Sequence, residues 1–73
     1  MDNLKMYDGK TVKLTDIDGE VFTGYVGDYI YADDNEPEVE GIVLDYPVRG
    51  DGYKYENPVE FDAPEIKSIE IIE

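Results

Sequence analysis

The chain has no cysteine, no histidine and no tryptophan, and sets six cations against nineteen acids in 73 residues. Lack of cysteine excludes thiol nucleophiles, thiolate zinc sites and a disulfide framework. Lack of histidine removes the usual imidazole base of serine and cysteine triads. An enzyme is therefore not expected, and no catalytic residue, metal site or cofactor is assigned. No stretch approaches the ~18 apolar residues of a membrane span, and MDNLKMYDGK has no apolar leader core, so a cytoplasmic protein without membrane association is expected. The cations are scattered as Lys5, Lys10, Lys13, Arg49, Lys54 and Lys67. They form no basic stripe, so direct nucleic-acid binding, which counterion release drives, is not expected.

What remains is an acidic but foldable chain. It is 41% apolar with a net charge of −13, too hydrophobic for a disordered acidic tail. Its length fits one domain over residues 1–73, of marginal stability in isolation. The charge is uneven: three cations against six acids over residues 1–31 leave −3, and three against thirteen over residues 32–73 leave −10.

Period-two alternation begins after Lys10, with Val12 and Leu14 inward and Thr11, Lys13 and Thr15 outward, which predicts a first strand. Asp18-Gly19 predicts a tight hairpin, because glycine accepts positive φ without a Cβ penalty. A long, bent second strand follows, with Phe22, Val26 and Ile30 on the core parity and Tyr25, Tyr29 and Tyr31 on the other. Asp33–Glu40 reads as a loop. Gly41–Tyr46 is a third strand bounded by Pro47, and 53–56 with 59–61 a fourth, interrupted at Asn57-Pro58 and therefore placed at an edge. Residues 62–65 form a turn or one 3₁₀ turn, and 66–72 a fifth strand with Ile69 and Ile71 on one face. Residues 2–7 supply one helical turn, capped by Asp2 or Asn3, with Leu4 and Met6 against the end of the sheet. The predicted fold is all-β: a small, bent, five-stranded antiparallel barrel.

The run Gly9-Lys10-x-Val12-x-Leu14, Asp18-Gly19, Phe22-x-Gly24-x-Val26, Asp33-Asp34-Asn35 and Ile42-x-Leu44 resembles the first half of an Sm-like (LSM) domain, a barrel of the wider SH3-like kind. The DIDGEVF hairpin, the DNEPE loop and the EIKSIEII end also resemble small acidic Sm-like proteins of Gram-positive bacteria and their phages. The resemblance implies the fold and a tendency to assemble with copies of itself. It does not carry over RNA contacts. Six and ten residues after Gly24, where RNA-binding members have aspartate and asparagine, stand Ile30 and Asp34, and Pro64-Glu65-Ile66-Lys67 replaces the usual Arg-Gly turn.

Two features suggest partner contacts. The acidic loop carries Asp33, Asp34, Asn35, Glu36 and Glu38, but Pro37 and Val39 break the alternate-ligand spacing of a calcium loop, so no metal is assigned. Seven tyrosines include Tyr25, Tyr29 and Tyr31 on one strand and Tyr53 and Tyr55 on another, and tyrosine is enriched at interfaces while also filling gaps with its hydroxyl wet. The first expectation is a non-catalytic interaction module that binds a protein partner or self-assembles as a homo-oligomer. The alternative is an acidic nucleic-acid mimic that blocks a basic nucleic-acid-binding protein. RNA binding by an Sm-like protein ranks third.

Overall fold

The computed structural model describes residues 3–36 and 38–72, and Asp2 lies outside them. Five strands are present: β1 Thr11–Asp16, β2 Val21–Ile30, β3 Gly41–Arg49, β4 Val59–Asp62 and β5 Ile66–Ile71. They form one bent antiparallel sheet in the order β4-β3-β2-β1-β5, and among the described residues no ladder joins β4 to β5. The sheet therefore curls round a core without closing. That core is Leu4, Val12, Leu14, Phe22, Val26, Ile42, Leu44, Phe61 and Ile66, and no polar or charged side chain among the described residues is buried with it.

The first hairpin follows the sequence reading. Thr15 pairs with Val21, Gly19 sits at φ +86°, and its amide donates to the Asp16 carbonyl at 3.0 Å. Phe22 and Val26 face inward as expected. Beyond Val26 the alternation inverts, because Gly27 is an extra residue: Val26 pairs with Leu44 and Asp28 with Val43. Such a bulge sets two residues against one and reverses the facing of all that follows. Tyr29 therefore lies opposite buried Ile42 and packs on the core, while Ile30 takes the other side, contrary to the expected facing of both.

Three further boundaries differ from expectation. β3 runs through Pro47 to Arg49, since a second bulge at Tyr46-Pro47, opposite Gly24, uses a residue that lacks an N–H. Residues 53–56 form no strand beyond a bridge from Lys54 to Val48, and β4 begins only after Pro58. The N-terminal 3₁₀ turn spans Leu4–Tyr7 with Asn3 as its cap, and it is Tyr7, not the 60% exposed Met6, that joins Leu4 against the core. The 3₁₀ turn at Ala63–Glu65 and the edge position of β4 agree with the sequence reading.

Candidate partner-binding surfaces

At the far end of β2, Tyr29 donates from its hydroxyl to Glu40 Oε1 at 3.0 Å, and the Leu4 amide donates to the same oxygen at 2.9 Å. One carboxylate thus ties the N-terminal turn and β2 to the start of β3. Burial first, then the bond to Glu40, pushes the Tyr29 phenol up. Tyr31 is exposed and meets the Tyr29 ring edge-on, with centroids 4.9 Å apart. Lys5 Nζ donates to the Tyr31 hydroxyl and lies 4.7 Å from that ring's centroid, so this aromatic pair carries its own cation. The Tyr31 hydroxyl is also what holds the Lys5 ammonium above its ordinary range.

The acidic loop divides by role. Asp33 and Asp34 stand on a 3₁₀ turn, Ala32–Asp34, where a plain loop is expected from the sequence. They, Glu36 and Glu38 are exposed, and none of the four carboxylates has a hydrogen-bond or ion-pair partner among the described residues. Asn35 behaves differently: its Nδ2 donates to the Val39 carbonyl at 2.9 Å and to Asp62 Oδ1 at 3.0 Å, pinning the loop to β4. Beside it the Glu60 carboxyl is pushed up, chiefly by its hydrogen bond with the Asp62 carboxylate and then by burial. Among the described residues no group of three acids is placed to hold a metal ion.

A cleft of about 420 Å³ opens between this loop and the Ala63–Glu65 turn. Ala32, Val39, Ala63 and Pro64 give it aliphatic walls, the Tyr29 ring borders it, and Glu38 and Glu40 supply carboxylates. Both described bonds to Glu40 fall on Oε1, so Oε2 has no partner among the described residues.

Two further tyrosines, Tyr53 and Tyr55, gather at the opposite end of β2. Tyr55 packs on Phe22 at 5.9 Å, and Tyr53 meets Tyr55 edge-on at 4.9 Å. Arg49 lies 5.1 Å over the Tyr53 ring, contacts Asp51 through two nitrogens at 2.9 and 3.1 Å, and reaches Glu20 at 3.7 Å. Its charge is therefore met within the fold, and it holds the Asp51 carboxyl below the usual range. The expected tyrosine stripes are thus two separate clusters. Tyr25 stands apart from both, exposed on the outer face opposite Thr11. Tyr46, which the sequence reading did not single out, is 61% exposed at φ +46°, and period-two reasoning carries no signal for a left-handed tyrosine inside a strand.

The two sheet edges are built differently. β4 is four residues long, follows Pro58, bears Glu60 and Asp62, and has its Asp62 amide taken by Glu65 Oε1 at 2.9 Å. These are devices that blunt an edge. β5 is six residues long. Since the Ile72 amide donates to the Thr11 carbonyl at 3.0 Å, ladder alternation turns the N–H and C=O of Ile69 and Ile71 outward, away from β1. A groove of about 560 Å³ runs beside this edge, lined by Met6, Tyr7, Ile66 and Ile69, and Ile71 is 41% exposed at its end.

No protein-family model and no curated protein matches this sequence.

Proposed function

We propose that the chain is a non-catalytic interaction module of Sm-like type that receives an extended segment of a protein partner along β5. The observation that carries this reading is the contrast between the edges. The six-residue β5 edge stays open, with Ile69 and Ile71 set among Lys67, Ser68 and Glu70 and no proline or side-chain cap on its outward amides among the described residues, while the short β4 edge is blunted. An added strand would find outward main-chain groups at Ile69 and Ile71, and a groove for its alternate side chains between β5 and the N-terminal turn. The residues that resemble Sm-like chains support the same reading, since Val12, Leu14, Phe22, Val26, Ile42 and Leu44 all lie in the core. Self-assembly is the weaker form, because bringing together protomers of −13 each is opposed by long-range repulsion.

A second reading, the acidic mimic, is favoured by the unpartnered carboxylates of Asp33, Asp34, Glu36 and Glu38. One experiment separates the two. Tagged protein is used to capture partners from a bacterial lysate alongside two variants whose folding is checked by circular dichroism. Ile71→Pro removes an outward N–H without touching a bond to β1, and a second variant changes the four loop acids to Asn and Gln. Loss of the captured protein with Ile71→Pro alone supports the β5 edge. Loss with the loop variant alone moves the function to the acidic surface, and capture by both variants overturns both contacts.

A further inference from the structure

The groove beside β5 and the acidic cleft are neighbours. Asn3 borders both, and the chain passes from Ala63 and Pro64 in the cleft wall directly to Ile66 and Lys67 in the groove wall. A segment laid along β5 and continued past Ile66 therefore reaches the cleft. This step rests on the reading of β5 as the docking edge.

We propose that the partner segment carries an arginine or lysine just beyond its apolar strand, and that this side chain enters the cleft with its stem against Val39, Ala63 and Pro64 and its cation between Glu38 and Glu40. The walls and the rim ask for different chemistry, and only a long cationic side chain satisfies both. An aliphatic stem suits Ala32, Val39, Ala63 and Pro64, as lysine and arginine stems cover apolar surface while the head stays polar. The head meets Glu38, which is exposed and without a partner among the described residues, and Glu40 Oε2, which likewise has none among them. Lys5 does not fill this role, because it is held over Tyr31. A second copy of this chain is a poor occupant, since residues 32–73 already carry −10. The cleft thus adds charge selectivity to an edge that main-chain bonding alone leaves indifferent to sequence.

The test is titration of isotope-labelled protein, followed through its amide resonances, with blocked Gly-Lys-Gly, Gly-Arg-Gly and Gly-norleucine-Gly. The expected result is saturable shifts confined to Ala32, Val39, Ala63 and their neighbours for both cationic peptides. Norleucine, which has the stem without the charge, should bind at least about fivefold more weakly, as should the cationic peptides to Glu38→Gln, while Glu56→Gln, beside Tyr55 at the opposite end of β2, should bind as wild type. Shifts spread over acids at the opposite end of β2, such as Asp51 and Glu56, or equal binding by norleucine, overturn the proposal. So does a free polyamine, spermidine, that takes the cleft in preference to the peptides, because the cleft would then serve a small cation. These readouts do not involve β5. A failed titration leaves the Ile71→Pro result standing, and a failed Ile71→Pro result leaves the cleft's cation preference measurable.

Discussion

Phe22 joins three parts of the molecule. Its ring lies 4.9 Å from Phe61 of β4 and 5.9 Å from Tyr55, and it is 5% exposed. Phe22→Ala should cost about 3–5 kcal/mol, near the whole stability of so small a domain, and should show as loss of a cooperative thermal transition. A well-folded variant would place the β2 facing in error. Tyr46 is the opposite case, an exposed residue held at φ +46° where its own backbone preference resists. Tyr46→Gly relieves about 1–2 kcal/mol of left-handed strain and adds about 0.5–1 kcal/mol of chain entropy. The net expectation is a melting temperature a few degrees higher, and a lower one would mean that the ring contributes packing that outweighs the strain. Asn35 shows why residue type alone does not assign a role. In the sequence it belongs to the acidic run, but its amide faces inward to Val39 and Asp62, so it shapes the loop while its neighbours charge it.

Elements with a local signal are legible in the sequence, and elements fixed by pairing are not. The β1–β2 hairpin depends on alternation and one Asp-Gly step, both visible along the chain. Gly19→Val tests it cleanly: a Cβ built there meets nothing within 4 Å, so the penalty is purely that of φ +86°. A loss of about 1–2 kcal/mol in a denaturant titration is expected, and an unchanged midpoint would show that the turn is formed elsewhere. The inversion at Gly27 carries no comparable signal, because a bulge is a count of residues on one strand against those on its partner. That is why Tyr29 and Ile30 exchange faces relative to simple alternation. The open edge is illegible for the same reason. Nothing in Ile66–Ile71 itself says that β5 has a neighbour on one side only, a property of strand order. The acidic loop, by contrast, is plain in the sequence, and what the fold adds is its placement across a cleft from Pro64.

At the scale of the whole molecule the dominant quantity is −13 on a chain whose described acids are all at the surface. Self-repulsion of this size opposes the compact state, so partial protonation should stabilise it. Glu60 contributes with a definite sign. Its folded-state value is raised by Asp62, so as pH falls the folded chain takes up that proton before the unfolded chain does, and stability increases through that window. Asp51 acts in the other direction. Its value is lowered by Arg49, so its contribution is complete above the ordinary carboxylate range and is lost progressively as pH falls from that range through its own depressed value. As pH falls from neutrality toward the ordinary carboxylate range the first effect and the general relief of repulsion operate, before the second begins. The melting temperature should therefore rise as pH is lowered from neutrality toward that range. Added salt at pH 7.5 should raise it as well, by screening the same surface charge. Glu60→Gln removes the proton-binding site but leaves the net charge high, so it should shrink the pH response and preserve most of the salt response. A melting temperature insensitive to both pH and salt would mean that the acids are too far apart to repel. A response to salt with no change in pH sensitivity in Glu60→Gln would remove Glu60 from the account and leave the distributed charge as the cause.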